Sequence, residues 1–553
     1  MKKIITFLVA MLMIFSITAC EETNRRSSKD DSSESSDESN NLNTSSGGSA
    51  EGYPYVISDA DELFRFAEEY NSYKLPQDIS VKLGADIKVN DIADVYTELT
   101  AETLDGYRMW IPVKSFYGTF DGDGNTISGL VCCMETNEKD YVDHPSALFG
   151  FVYDGGMVKN VTVKESFLTS NTNNYTAGIC GALRDGGTIE NCHNYAKVLG
   201  STSSGGVVAS NAGGIIKDCT NYADMTNIET GSSKGLGGIC GFHNSDYESQ
   251  TTGWIINCVN YGAISGCFGS TVGGIAGYSR GFIENCINKG DIKNEGASAG
   301  GIAGSNTNNG EHEIGNIKNC INYGNVECKR AAGGIAAANS FSEDIELKYG
   351  IQNCINYGNV TSEYESGGIC AYINGGVVSQ CANLGDVSAF SSEHFGGVAG
   401  GICMRDSENT IFKDCYNAGD VTASKEASGL CDRICAQWIN CYSAGLLTSE
   451  SKGAYGLARE ADIYSDYVKI ENCYFIGEIQ GDSTSNYLIK DMYDDDYGSN
   501  GYICGSCYLN RDLASQSSWY LGFDFDNVWT IDPSSEYTYP ILRNMPTDFT
   551  EEN

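Results

Sequence analysis

Basic residues, histidines and long apolar runs are all scarce in this chain. Its 553 residues include 35 Lys or Arg against 73 Asp or Glu, which leaves a formal net charge of −38. Such an acidic surface repels nucleic acid and anionic lipid, so we expect no nucleic-acid partner. Beyond residue 20 the sequence contains no apolar run near the ~20 residues that a transmembrane helix needs.

Complete catalytic and metal-binding motifs are missing as well. His312 and Glu313 begin the zinc-protease pattern His-Glu-x-x-His, but Asn316 stands where the second histidine is required. Asp121 and Asp123 begin like a calcium loop that lacks the later glycine and glutamate. We therefore predict no catalytic residues, no metal ligands and no cofactor. Calcium stays open at one acidic run, which otherwise makes a solvated loop: Asp491, Asp494, Asp495 and Asp496.

What the chain has in abundance is a repeat. The ten-residue phrase Ile-Lys-Asn-Cys-Ile-Asn-Tyr-Gly-Asn-Val at 317–326 recurs ten times, with its cysteines 26 to 39 residues apart. We call these ten the phrase cysteines: Cys192, Cys219, Cys258, Cys286, Cys320, Cys354, Cys381, Cys415, Cys441 and Cys473.

Each phrase reads as two short strands with a bend between them. An apolar residue stands three positions before the cysteine and another six positions after it, as Ile317 and Val326 do around Cys320. Straight alternation from Ile317 would point the cysteine to water, whereas a free cysteine prefers burial, so a bend is required. The residue at the bend is usually Asn or Asp, both of which tolerate the left-handed conformation. A second phrase, Gly-Gly-Ile-x-Gly, lies between successive cysteine phrases, as at 300–304. Each unit is too small to bury its own apolar side, so stacking into a parallel solenoid is expected.

These phrases resemble the GLUG-motif repeats of bacterial surface proteins. The resemblance implies a right-handed parallel β-helix of about ten coils, an all-β fold, and extends from about residue 53 to 543. Segments 57–67 and 120–130 look like the family's N-terminal cap, and segments 527–532 and 539–543 look like its closing segment. For function the resemblance implies an adhesin-like scaffold and little more.

The first fifty residues have the pattern of an export signal followed by a membrane anchor and a tether. Lys2 and Lys3 precede an apolar run from Ile4 to Ile17, which is typical of a secretory signal. Residues 17–20 resemble the lipobox of bacterial lipoproteins, which makes Cys20 the predicted lipidation site. A Ser/Asp/Glu-rich tether follows that cannot form a core. We expect a lipid anchor on the outer face of the membrane, that is, a bacterial cell-surface location.

The predicted domains follow from these features: 1–19 signal peptide, 20–50 lipidated cysteine and tether, 51–130 N-terminal cap and first coil, 131–480 repeats, and 481–553 C-terminal coil and cap. Ser58 with Asp61 resembles a capping box, followed by a helix with one apolar face. An aromatic-rich stretch at 519–531 is expected to cover the opposite end of the solenoid.

The 23 cysteines would suggest disulfides in an exported protein. Neighbours in a parallel ladder sit ~4.8 Å apart with parallel Cβ vectors, which suits a disulfide poorly. We therefore predict buried free thiols, while local bridges at Cys132–Cys133 and Cys504–Cys507 stay open.

One outward feature has a spacing that could bind a ligand. A tyrosine stands three residues after the phrase cysteine in five units, interrupted by Lys289. Such a stripe could contact a glycan or a host or cell-surface protein, or it could simply stabilise the solenoid as an aromatic ladder. We predict a surface binding scaffold without catalysis. The alternatives are a β-helix carbohydrate-active enzyme, although the arginines are spread about one to a coil, and a structural envelope spacer. The predicted stripe is Tyr195, Tyr222, Tyr261, Tyr323 and Tyr357.

Overall fold

The computed structural model describes most of the chain from residue 54 onward. The described residues are 54–134, 145–170, 175–200, 202–227, 235–245, 251–266, 269–307, 315–341, 348–391, 396–451, 453–462, 467–480, 487–489, 503–504, 507–509, 513–532 and 538–550. The signal, Cys20 and the tether lie outside them. No helix within these ranges is long and apolar enough to cross a membrane.

The architecture is a parallel β-helix, as predicted. A typical repeat coil contributes a strand to sheet S1, bends at an Asn, Asp or, once, Gln, passes the phrase cysteine into sheet S2, and then adds strands to S3 and S4. Equivalent residues pair in register, as Ile283 with Ile317 and Ile317 with Ile351. Sheet S1 shows 15 strands in the described part of the chain, ten of which lead into the ten phrase cysteines.

The strand bounds are as follows. S1 contains Tyr55–Ile57, Ser80–Leu83, Thr119–Asp121, Met157–Lys159, Thr188–Glu190, Ile215–Lys217, Trp254–Ile256, Phe282–Glu284, Asn316–Lys318, Gly350–Gln352, Gly376–Ser379, Thr410–Lys413, Gln437–Ile439, Lys469–Glu471 and Ile503–Cys504. S2 contains Ile87–Lys88, Thr126–Ser128, Val131–Cys133, Thr162–Thr169, His193–Gly200, Thr220–Asn221, Met225–Asn227, Val259–Asn260, Ile264–Gly266, Ile287–Asn288, Ile292–Asn294, Ile321–Asn322, Val326–Cys328, Ile355–Asn356, Val360–Ser362, Ala382–Asn383, Val387–Ala389, Tyr416–Asn417, Val421–Ala423, Tyr442–Ser443, Leu446–Ser449, Tyr474–Phe475, Glu478–Gln480 and Cys507–Tyr508. S3 contains Tyr175–Ala177, Ser203–Gly205, Gly235–Gly237, Thr271–Gly273, Ser298–Gly300, Ala331–Gly333, Glu365–Gly367, Val398–Gly400, Glu426–Ser428, Gly453–Ala458 and Tyr487–Ile489. S4 contains Val113–Phe116, Phe149–Val152, Cys180–Arg184, Val208–Ala212, Cys240–Asn244, Ala276–Arg280, Ala303–Thr307, Ala336–Ser340, Cys370–Asn374, Cys403–Arg405, Cys431–Ile434 and Glu460–Ala461. Outside the four sheets lie the α-helix Ala60–Asn71, the 3-10 turns Ala101–Thr103 and Ser517–Trp519, and the hairpin Trp529–Thr530 with Ile541–Leu542.

The bend before each phrase cysteine is left-handed in all ten units, which confirms the expected conformation. Asn319, for example, has φ 54°. Its side-chain amide donates to Asn285 Oδ1 at 3.1 Å and its Oδ1 accepts from Asn353 at 2.8 Å, so the bends also bond along the stack. The ten bend residues are Asn191, Asp218, Asn257, Asn285, Asn319, Asn353, Gln380, Asp414, Asn440 and Asn472.

The phrase cysteines form a fully buried column, with every described cysteine a free thiol. Cys320 Sγ donates to the carbonyl oxygens of Lys318 at 3.2 Å and, one coil back, of Ile283 at 3.8 Å. Cys132 and Cys133 are both free thiols, whereas the side chains of Cys504 and Cys507 lie outside the description. The thiols thus act as small hydrophobic groups with one weak donor each.

A buried asparagine ladder, which sequence reasoning missed, runs beside the cysteines. Asn322 Nδ2 donates to Gly324 O and to Asn356 Oδ1, both at 2.8 Å, and its Oδ1 accepts from Asn288 at 2.8 Å. The available signal was the Asn that stands two residues after most phrase cysteines. The ladder ends where Ser443 replaces Asn, and its members are Asn194, Asn221, Asn260, Asn288, Asn322, Asn356, Asn383 and Asn417.

The helix Ala60–Asn71 packs its apolar face onto the first coils. Phe66 and Tyr70 are buried against Phe120 and Phe116, with ring centroids 6.3 and 5.3 Å apart. The capping residue differs from the expectation by one position. Asp59, rather than Ser58, accepts the backbone N–H of Glu62, because the side chain that directly precedes the helix is the one within reach.

Candidate functional site

The five predicted tyrosines form one column on sheet S2, which we call the tyrosine column. Each ring is between 36 and 43% exposed. Tyr195, Tyr222 and Tyr261 stack at centroid distances of 4.3 and 5.0 Å with nearly parallel planes. Tyr323 and Tyr357 stack at 4.9 Å. Burial of the Tyr195 ring and its hydrogen bond with Tyr222 raise the pKa of Tyr195 to about 12, so this hydroxyl stays protonated at neutral pH.

Stacking determines which part of each ring a ligand can reach. The ring faces inside each run cover one another, so the edges and hydroxyl groups remain accessible. At the interruption, the ammonium group of Lys289 lies 5.6 Å from the Tyr261 centroid and 5.7 Å from the Tyr323 centroid. The column therefore presents a row of hydroxyl groups around a single positive charge.

A second outward column is formed by the residue directly after each phrase cysteine, two positions nearer the bend than the tyrosines. Alternation turns the residue after each phrase cysteine away from the core. Val259, Ile287 and Ile321 form a separate apolar cluster there, and each is at most 4% exposed. Outward apolar residues become buried only when something covers them, and here the C-terminal residues lie over them.

The C-terminal segment 513–532 with 538–550, which we call the strap, packs along the side of the later coils. Trp529 lies 6.0 and 5.8 Å from the rings of Tyr416 and Tyr442, and Tyr520 lies 5.4 Å from Tyr474. We expected these aromatic residues across the end of the solenoid. They lie lengthwise because the outward column in these coils is itself aromatic. The same segment packs over the positions where the earlier coils carry tyrosine: Leu384, Ala418, Ala444 and Ile476.

Between the tyrosine column and the bend column runs a groove of about 990 Å³. Its floor is Thr220, Val259, Ile287 and Ile321. One wall is formed by Tyr222 and Tyr261. The opposite wall is Asp218, Asn257, Asn285, Asn319 and Asn353, and strap residues 544–547, 549 and 550 line it as well.

Stacking also collects arginines that the sequence disperses. Arg405 and Arg433 are register partners on S4. Arg459 Nε and Nη2 each donate to Asp432 at 3.0 Å. Arg459 also pairs with Glu426 at 3.3 Å and with Glu460 at 3.1 Å. The arginines are still about one to a coil, but stacking brings those of the last coils together, because residues about thirty apart become neighbours in a solenoid.

Two carboxyl groups near this arginine cluster have raised pKa values. Burial raises the pKa of Glu365, against the favourable charges of Arg405 and Arg330. Burial raises the pKa of Asp406 to about 7, although Trp438 Nε1 donates to it at 2.7 Å and the Cys435 amide also donates. Asp406 is therefore largely neutral at slightly acidic pH.

The remaining candidate sites yield little. Within the described ranges no group of three or more His, Cys, Asp or Glu is placed to hold a metal ion. His312, Glu313 and the acidic run at 491–496 lie outside those ranges. Asp121 accepts from Asn160 at 2.9 Å and pairs with Lys159 at 3.3 Å, which places it in a turn network.

Comparison with known proteins adds little to this description. No protein-family model matches the chain, and a search of curated proteins finds no match either. A crystal structure from Bacteroides ovatus, described as a candidate immunoglobulin A1 protease, matches at 15% identity and TM-score 0.31, covering 89% of this chain and 93% of that one. A structure described as IgA1 protease matches at 17% and TM-score 0.36, covering 56% of this chain and 23% of that one. Such scores carry no argument about function, so the fold rests on the strand pairing itself. The resemblance to GLUG-motif proteins stays a prediction.

Proposed function

We propose that this protein is a binding scaffold without catalysis, which presents the tyrosine column and the adjoining groove to a partner at the cell surface. The observation that carries the proposal is the column itself: half-exposed hydroxyl-bearing rings in one row beside a groove with an apolar floor. Partly exposed aromatic groups of this kind are enriched in binding surfaces. Because the ring faces are used in stacking, a partner is recognised through hydroxyl hydrogen bonds and the groove.

The proposed location follows from the sequence alone. Lipidation of Cys20 would hold the chain at the outer face of a bacterial membrane, with residues 21–50 as a tether. Replacing Cys20 by serine is expected to release the protein from the membrane fraction, and retention of the variant in washed membranes would contradict the anchor.

Binding is tested with purified protein on a glycan array and on immobilised cell-surface proteins. The double variant Tyr323→Ala with Tyr357→Ala is expected to lose binding at least tenfold. Tyr117→Ala is the matched control, because Tyr117 is 41% exposed and stacks on Tyr153 at 5.1 Å on another face. Equal binding by both variants would remove the tyrosine column from the function.

A carbohydrate-active enzyme is the second candidate, and the arginine cluster is the observation that favours it. A carboxyl group with a raised pKa can serve as a general acid, and Glu365 has one close to exposed Arg405, whose charge suits an anionic polysaccharide. The same polysaccharides are assayed for new reducing or unsaturated ends. Cleavage that disappears in Glu365→Gln would replace the scaffold proposal with this one.

A further inference from the structure

The last described residues of the chain lie in the groove beside the tyrosine column. They line this groove together with the floor residues Val259, Ile287 and Ile321. Trp529 contacts Asp414 and Asp548 contacts Lys289, so the end of the chain runs from later coils toward earlier ones. These residues, which we call the tail, are Asn544, Met545, Pro546, Thr547, Asp548, Phe549 and Thr550.

The tail contacts the coils through one charged pair and through Met545, which packs against the apolar cluster that the strap covers. Lys289 Nζ lies 2.8 Å from Asp548 Oδ2 and donates to Thr550 Oγ1 at 2.6 Å. The Asp548 side chain is only 6% exposed, so this ion pair is well shielded from water. Lys289 stands at the one interruption of the tyrosine column. At this position a charged side chain binds the tail where the neighbouring coils carry a tyrosine.

The rest of the strap is attached far more firmly than the tail. Trp529–Thr530 pairs with Ile541–Leu542, and Arg543 Nε donates to Trp529 O at 2.7 Å. For residues 545–550 the described polar contacts with the coils converge on Lys289. With few polar anchors, the tail is expected to open at a lower free-energy cost than the strap beneath it, although opening uncovers the Val259–Ile287–Ile321 cluster.

We propose that the groove binds an extended, acidic polypeptide segment of a partner protein, and that the tail is a competing occupant that must leave first. This rests on the proposed binding function and names its ligand class and its regulation. The tail shows the chemistry that fits: a carboxylate on Lys289, with Met545 and Phe549 lining the same groove as the floor residues. Beyond Lys289 the groove offers polar groups to a peptide backbone, from Tyr222, Thr220 and Asn257.

The probe is a fluorescent synthetic peptide with the sequence of residues 544–553. It is titrated into the full chain and into a chain ending at Arg543, with fluorescence anisotropy as the readout. The shortened chain is expected to bind the peptide at least tenfold more tightly than the full chain does. Adding Lys289→Ala to the shortened chain is expected to weaken binding at least tenfold.

Charge exchange tests whether Lys289 is specific. The shortened chain with Lys289→Asp is expected to reject the natural peptide and to bind one carrying Asp548→Lys. If the shortened chain does not fold, as judged by circular dichroism, full-length Asp548→Lys takes its place. In that chain the ion pair is repulsive, and uptake of the natural peptide is expected to rise.

A folded shortened chain that ignores the peptide would overturn the proposal, as would equal binding with Lys289→Ala. Dimers formed by the full chain and lost in the shortened chain would show that the tail is exchanged between two copies. That result would overturn the claim that the tail occupies the groove of its own chain. The peptide titration tests the groove, whereas Tyr323→Ala with Tyr357→Ala tests whether the tyrosine column binds a partner. If the shortened chain binds the peptide and the double variant still binds its partner, the proposal for the column is wrong and the proposal for the groove is retained.

Discussion

Replacing Asn322 by alanine in the buried asparagine ladder is expected to destabilise the coils on both sides of it. The substitution removes the donor that serves Gly324 O and Asn356 Oδ1, and the acceptor used by Asn288 Nδ2. Asn288 keeps its bond to Gly290 O at 2.8 Å. The main cost therefore comes from Gly324 O and Asn356 Oδ1, which lose their donor.

The magnitude follows from the burial of these groups. Each of the three asparagines is fully buried, so water does not replace the missing partner. A buried oxygen left without a donor costs about 1–3 kcal/mol, which gives a total of about 3 kcal/mol for Asn322→Ala. Asn322→Ser is expected to cost less, because the chain itself uses Ser443 next to Asn417, with a 3.2 Å bond.

The matched control is Asn325→Ala, which removes an exposed asparagine from the same coil. Its Nδ2 donates to Asp291 Oδ1 at 3.1 Å and its Oδ1 accepts from the Asn359 amide at 3.0 Å. Both bonds are exposed, so water replaces them and the expected change is within about 0.5 kcal/mol. Urea unfolding followed by circular dichroism gives the comparison, and amide hydrogen exchange locates the loosened coils. Equal stability of Asn322→Ala and Asn325→Ala would refute the reasoning that the ladder stabilises the core.

Three further predictions concern the bend column and the buried titratable groups. Burial raises the pKa of Asp406 to about 7, so the folded state binds the extra proton and stability falls as pH rises from about 4 to 7. Asp406→Asn is expected to flatten that slope in Tm measured against pH, and an unchanged slope would contradict the assignment. At Asn319, with φ 54°, alanine is expected to be less stable than glycine by about 1 kcal/mol, since both lose the side-chain bonds and only alanine is strained; equal Tm values would contradict this. The described cysteines are expected to react with N-ethylmaleimide in denaturant without prior reduction, and a mass showing fewer adducts would indicate disulfides.

Features that depend on neighbouring residues were predictable from the sequence. The bend at Asn319 and the burial of Cys320 followed from alternation and from the preferences of Asn and Cys within one phrase. The apolar face of the helix Ala60–Asn71 followed in the same way from spacing. Each of these features depends on residues close together in the chain, which is why repetition of the phrase was sufficient to predict them.

The candidate site depended on contacts that no local pattern contains. The ion pair of Lys289 with Asp548 joins residues 259 positions apart, and the strap lies along a side of the solenoid that the phrase alone leaves open. The arginine cluster around Arg459 is likewise a product of the coil length, which converts a separation of about thirty residues into adjacency.

The sequence by itself therefore determined the parallel β-helix, its interior cysteine column and its row of tyrosines, because a short phrase repeated ten times must stack on itself. The tertiary structure alone decided that those tyrosine rings cover one another's faces. It also decided that the strap buries the outward apolar column and that the tail occupies the groove, because these contacts depend on where the end of the chain returns across coils already formed.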